Sequence, residues 1–245
     1  MNQFKFYPKE GFDSIAALFP IERANKFLPE WFKKIGRGDL VGTLLDNEDV
    51  QTIRRCPAII DYLSSGYILQ AYSDMVFNSH EDHVHWNIGV VNANIGLHPN
   101  QLIQQHSPKQ TKGVPLNTAP TGEALKLINP FYMRLPEGWS MLFLDPYYHF
   151  RGDGMKFLPA IVELDKRWQV NFPFEFVNDN MDFTIEAGTP LLHMIPFKRE
   201  KEPKLVSKEF SEEELAFEVA QNTYAHAVFN KDYKDITDKL EIPEG

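Results

Sequence analysis

The spacing of apolar side chains changes character near residue 66. Before that point Phe27, Leu28, Trp31, Phe32 and Ile35 recur at intervals of three and four, which predicts one apolar stripe on a helix over residues 21–35. Pro29 interrupts the stripe, so the helix either restarts there, with Pro29 in its first turn, or kinks. Gly36 and Gly38 end it. A second short helix is expected from Pro57 to Ser65, with Pro57 at its first position, Ile59, Ile60 and Leu63 on the buried face, and Gly66 in the left-handed cap. Residues 1–66 thus read as an N-terminal helical segment packed on a body formed by the rest of the chain.

From Tyr67 the period shortens to two. In His83–Val90 the alternation places Val84, Trp86, Ile88 and Val90 on one face of a strand. Further strands are expected at 67–72, 75–77, 124–128, 132–135, 139–144, 160–164, 168–172, 182–185 and 191–197. Turn-forming residues separate them: Pro136-Glu137-Gly138, Arg151-Gly152-Asp153-Gly154, Asn178-Asp179-Asn180 and Ala187-Gly188-Thr189-Pro190. The Arg-Gly-Asp triplet here reads as a hairpin tip. Short strands with no helices between them predict a mainly β (α+β) fold, an antiparallel sandwich or barrel, with the β body over residues 67–200. Residues 92–123, rich in Asn, Gln, Pro, Gly and Thr, are long for an internal loop and read either as a functional lid or as part of a pairing not visible in the sequence. A C-terminal helical tail fills 201–245, opened by the capping box of Ser211 and Glu214, and the whole reads as one compact domain.

Composition narrows the function classes. The 245 residues are 43 % hydrophobic and 13 % aromatic, which excludes global disorder. A net charge of −9 repels phosphate backbones at long range. The linear basic clusters, Lys33-Lys34 with Arg37 and Lys198-Arg199 with Lys201, lack interleaved aromatics, so no nucleic-acid partner is expected. No run approaches the roughly 18 apolar residues of a membrane span, so no membrane partner is expected either. Residues 1–7 lack a cationic segment followed by an apolar run, and a cytoplasmic location is expected. Cys56 has no second cysteine to pair with. The preceding Arg54 and Arg55 would lower its thiol pKa, but a small residue before a helix start is the plainer role.

The densest chemistry is the string His80, Glu81, Asp82, His83 and His85. His83 and His85 stand two apart on a strand, so both imidazoles project from one face, as a divalent metal (Fe, Mn or Zn) needs. His80-Glu81-Asp82 also has the His-x-Asp form of a non-haem iron, 2-oxoglutarate-type oxygenase, with His149 or His193 as distant third ligand and Arg151 or Arg199 for the co-substrate carboxylate. A polar strand edge facing water is the plainer alternative. No Gly-x-Ser-x-Gly elbow, P-loop or dinucleotide fingerprint occurs, and Ser140 lies inside an expected strand. Whether the chain is an enzyme stays open at this level.

Longer stretches carry two resemblances. Leu135-Pro136-Glu137-Gly138-Trp139-Ser140, then Pro159 to Asp165, then Ile185 to Ile195 resemble, in order, the strands of dUTPase and dCTP-deaminase-like β-clip domains. Asp145-Pro146-Tyr147-Tyr148 stands where that family has its phosphate-contacting Pro-Arg-Ser-Ser, so the likeness implies architecture more than nucleotide hydrolysis. The Pro136-Glu137-Gly138 turn also fits a cupin-like layout, with Gly89, Val90 and Met141 at positions where cupins carry ligands. The chain further resembles a family of uncharacterised phage and bacterial proteins over about residues 20–202. The matching stretches include Phe27-Leu28-Pro29-Glu30-Trp31, Arg55-Cys56-Pro57, His106-Ser107-Pro108-Lys109-Gln110, Asn171-Phe172-Pro173-Phe174 and Ile195-Pro196-Phe197-Lys198-Arg199-Glu200. That likeness implies His106, Gln110, Asp165 and Arg199 as ligand-binding candidates.

Three functions are compatible with these features. The first is a non-catalytic binding or structural β protein, phage-associated, presenting residues 92–123 and a body cavity to a small ligand or protein partner. The others are a metal-dependent cupin or 2-oxoglutarate-type oxygenase and a nucleotide-binding β-clip protein. A homo-oligomer is compatible with each.

Overall fold

The computed structural model describes residues 3–36, 52–80, 83–89, 102–107, 109–116, 124–152, 154–177, 181–202 and 205–227. The chain divides into two compact units, residues 1–28 with 64–199, and residues 29–63 with 200–245.

In the first unit the strands are β1 (Lys5–Pro8), β2 (Glu22–Arg23), β3 (Tyr67–Gln70), β4 (Met75–His80), β5 (His83–Ile88), β6 (Ile103–Gln105) and β7 (Leu125–Leu127). They continue with β8 (Phe131–Arg134), β9 (Trp139–Leu144), β10 (Met155–Phe157), β11 (Ala160–Val162), β12 (Phe172–Phe176), β13 (Met181–Ile185) and β14 (Pro190–Lys198). A short helix, α1 (Asp13–Leu18), lies between β1 and β2 in the chain. Among the described residues the strands make four sheets, ordered β1-β8, β10-β12-β7-β6, β11-β9-β14-β3-β2 and β13-β4-β5. Every pairing is antiparallel. The expectation of a mainly β, antiparallel α+β protein is met at that level.

Alternation explains how the sheets share one interior. Phe172, Phe174 and Phe176 of β12, Phe77 of β4, Met141 and Phe143 of β9, Leu192 and Met194 of β14 and Phe131 and Met133 of β8 are all buried in one cluster. The Phe77 ring stacks on Phe183 at 5.0 Å and meets Phe174 and Phe176 edge-on at 6.0 Å. Pro196 is accommodated inside β14 because there the strand pairs with β9 alone; β3 reaches only from Pro190 to Met194.

Besides the unexpected short strands β6 and β10, the structure departs from the expected elements at the following places. Lys5–Pro8, expected within a helical segment, is a strand, because β8 offers it a partner more than 120 residues away and Phe6 turns inward against Phe131 at 5.5 Å. The stripe over 21–35 splits into β2, a 3-10 turn at Ala24–Phe27 and the five-residue helix α2 (Glu30–Lys34), with Pro29 as the residue before its start. The strand expected at 168–172 is instead Phe172–Phe176. Pro173, which donates no hydrogen bond, is tolerated there while its carbonyl accepts from Leu158 N–H at 3.0 Å.

The second unit contains α2, α3 (Pro57–Ser64, whose last residue belongs to the first unit) and α4 (Glu212–Ala227). Pro57 opens α3 and Ile59 and Leu63 are its buried residues, as expected. Beyond α3, Gly66 has φ +71°. The capping box of α4 is formed: Ser211 N–H donates to Glu214 Oε2 at 2.7 Å, and Glu214 N–H donates to Ser211 Oγ at 3.2 Å. Arg54 holds the end of α2 by donating to the carbonyls of Lys33 (3.0 Å) and Ile35 (2.7 Å). No helix among the described residues is long and apolar enough to cross a membrane.

Candidate functional site

Asp165 and Arg199, two of the four ligand-binding candidates, meet each other. Arg199 follows the last residue of β14, and its N–H donates to the Gly138 carbonyl at 2.7 Å. Its guanidinium forks onto both oxygens of Asp165, at 3.0 Å to Oδ1 and closer to Oδ2, and also donates to the Trp139 carbonyl (2.7 Å) and Ser140 Oγ (3.1 Å). Asp165 Oδ2 accepts in addition from Gly138 N–H at 2.9 Å. The Arg199 guanidinium holds the Asp165 carboxyl down at about 2, with the Gly138 N–H adding to the effect against the opposing desolvation. The pair clamps the Pro136–Gly138 turn to the end of β14.

His106 and Gln110, the other two candidates, share the turn after β6. His106 Nδ1 lies 3.2 Å from Gln110 Oε1, His106 N–H donates to the Ala124 carbonyl at 2.7 Å, and Gln110 N–H closes on the Ser107 carbonyl at 2.8 Å. His106 Nε2 is buried without a hydrogen-bond partner among the described residues. No described contact joins this turn to the Asp165–Arg199 clamp.

The histidines expected at a metal divide. His80 and His83 face each other across the β4–β5 hairpin as backbone partners, and His85 is opposite Asn78. The side chains of His80 and His83, together with Glu81 and Asp82, lie outside the described residues. Among the described residues no three His, Cys, Asp or Glu side chains gather as a metal site. His149 does come close enough to His193 to feel its charge. His193 is 2 % exposed on β14, and its Nε2–H donates to the Ser65 carbonyl at 2.6 Å. Burial first, then the charges of His193 and Arg151, push His149 down to about 4. Burial also lowers His193, against the pull of the Ser65 carbonyl. Arg151 is itself committed: its Nη2 donates to Asp145 Oδ1 (2.8 Å) and the Met155 carbonyl (3.0 Å), and Phe157 N–H donates to the same Asp145 oxygen (3.1 Å). The Arg151 guanidinium thus stands close enough to His149 to add to the lowering while it ties Asp145 and Met155 together.

A site not evident from the sequence lies beside β1 and β8. A cleft of about 550 Å³ is lined by Gln3, Lys5, Arg134, Leu135, Pro136, Glu137, Asp165 and Lys166. Lys5 and Arg134 are directly opposite in the antiparallel register, an arrangement of like charges that is unfavourable without an anion nearby. Neither makes an ion pair among the described residues. Lys166 is tied to Glu163 at 2.5 Å and Asp165 to Arg199, leaving Lys5, Arg134 and Glu137 as the uncommitted charges. The Arg134 guanidinium stands over the Trp168 ring at 4.6 Å, and that indole is 45 % exposed. Phe4-Lys5-Phe6-Tyr7 alternates over too few residues to mark a strand, and it needed β8 to become a surface.

Neither family models nor curated proteins yield a match to this chain.

Proposed function

We propose that the chain is a non-catalytic binding protein whose cleft beside β1 and β8 takes an anionic ligand bearing a flat ring. The observation that carries this is the facing pair Lys5 and Arg134, which makes no ion pair among the described residues, with Arg134 aligned on an exposed indole. A phosphate or carboxylate between the two cations relieves their repulsion and forms charge-assisted hydrogen bonds, bidentate on Arg134. Trp168, next to the cleft through its contact with Arg134, offers exposed indole surface for the ring, and Glu137 in the lining can accept from a hydroxyl or amino group on it. The volume falls within the roughly 300–1,000 Å³ common for small-molecule sites. Asp165 contributes to the wall as a clamped residue and not as a direct ligand. Four sheets feeding one aromatic core support a sandwich-like architecture for the body that carries the cleft.

The test is calorimetric titration with a nucleoside monophosphate, inorganic phosphate and benzoate, followed in parallel by tryptophan fluorescence. Binding of the ring-bearing anions, weakened about tenfold or more by Arg134→Ala, is the expected result. Absence of binding by all three at millimolar concentration overturns it.

A further inference from the structure

Resting on that anion-binding site, we propose that its natural ligand is single-stranded nucleic acid, held along the outer face of the β1–β8 ribbon. Beyond the cleft the same face continues as a ladder. The first rung is Lys5 opposite Arg134 and the second is Tyr7 opposite Tyr132. Lys9, just past the end of β1, brings its ammonium over the Tyr132 ring at 5.4 Å. Tyr7 and Tyr132 are 45 % and 41 % exposed, while the intervening Phe6, Phe131 and Met133 turn inward. Two residues along a strand advance about 6.6 Å, so the run from Lys5 to Lys9 covers about 13 Å. A ligand that ended at the cleft would leave the tyrosine rung and Lys9 without a role.

Cations interleaved with exposed aromatic rings match the chemistry of an unpaired strand, whose phosphates need neutralising and whose bases offer free π-faces. A duplex presents the phosphates but keeps those faces stacked inside. Most of the net charge of −9 is screened, because at physiological ionic strength charges beyond about 8 Å are largely shielded, and Glu137 is the uncommitted carboxylate in the cleft that a phosphate has to avoid. In sequence the surface is split: Lys5, Tyr7 and Lys9 form one short basic–aromatic run, and Tyr132, Arg134 and Trp168 lie more than 120 residues further along the chain.

The experiment is fluorescence anisotropy of a labelled thymidine single strand of about 12 nucleotides, within the range of site sizes such surfaces cover, against a duplex of the same length and against thymidine monophosphate read by tryptophan quenching. The single strand is expected to bind more tightly than the duplex, with a log–log salt slope near −2 from about three neutralised phosphates. Tyr132→Ala and Tyr7→Ala, both at exposed positions, are each expected to weaken the strand about fivefold or more and to leave the monophosphate unchanged. Arg134→Ala is expected to weaken both, and Lys156→Ala, an exposed cation on another sheet, neither. Equal binding of duplex and single strand, or tyrosine variants that bind the strand as well as the parent, overturns the nucleic-acid assignment while monophosphate binding keeps the anion site. Loss of neither ligand in Arg134→Ala removes the anion site as well.

Discussion

Lowering the pH should unlock this fold through His149. In the unfolded chain that imidazole takes a proton near pH 6.5, whereas in the folded protein burial, His193 and Arg151 refuse it until about 4. Between those values the unfolded state binds more protons than the native one, so stability rises with pH across the window. The contribution is therefore complete above about pH 6.5 and is lost as the pH falls toward 4. Two and a half pH units at 1.36 kcal/mol each set a ceiling near 3 kcal/mol. Partial exposure of the ring reduces this, and about 1–2 kcal/mol is expected to disappear between pH 7 and pH 5. Asp145 faces the same guanidinium and moderates the positive field, so burial remains the leading cause. Urea unfolding followed by tryptophan fluorescence at both pH values, on the parent and on His149→Gln, measures the difference. The variant should show a clearly flatter pH dependence, with a remainder from His193. Identical pH dependence in the two proteins, or an NMR titration of His149 near 6.5, would refute the reasoning.

Gly66 and Gly138 form a matched pair of positive-φ sites. A Cβ on Gly66 would lie 2.1 Å from the Met194 carbonyl oxygen, whereas one on Gly138 meets nothing within 4 Å. Gly138→Ala should cost only the left-handed strain of about 1–2 kcal/mol, and Gly66→Ala distinctly more, read as a larger fall in Tm by calorimetry. Arg199→Lys cannot reproduce the fork on Asp165, so it should lower Tm and raise the Asp165 carboxyl from about 2, visible by carboxyl NMR. In the parent the stability from that carboxylate is present above its ordinary value of 3.8 and is lost as pH falls toward 2. Phe77→Ala removes a fully buried ring contacting three others and should cost about 3–5 kcal/mol, or roughly 6–20 °C in Tm.

Local pattern was enough for much of the architecture. Period-two alternation located β9 to the residue and placed β4, β5, β13 and β14 closely, because each carries its own inward set of apolar side chains. Pro57 and the Ser211–Glu214 box likewise act within a few residues of themselves, so their roles at α3 and α4 could be read directly. Strands as short as β1, β2, β6 and β10 carry too little periodicity and exist through partners far away in the chain. Side-chain destinations are subject to the same limit. Composition and order could mark Asp165 and Arg199, but only the packing of β14 against β9 turned them toward each other and consumed their charges. The converse holds for Lys5 and Arg134, ordinary as isolated cations, which antiparallel register sets face to face beside an exposed indole. Propensity and capping are properties of neighbours in sequence, whereas a charged surface depends on which distant strands share a hydrogen-bond ladder.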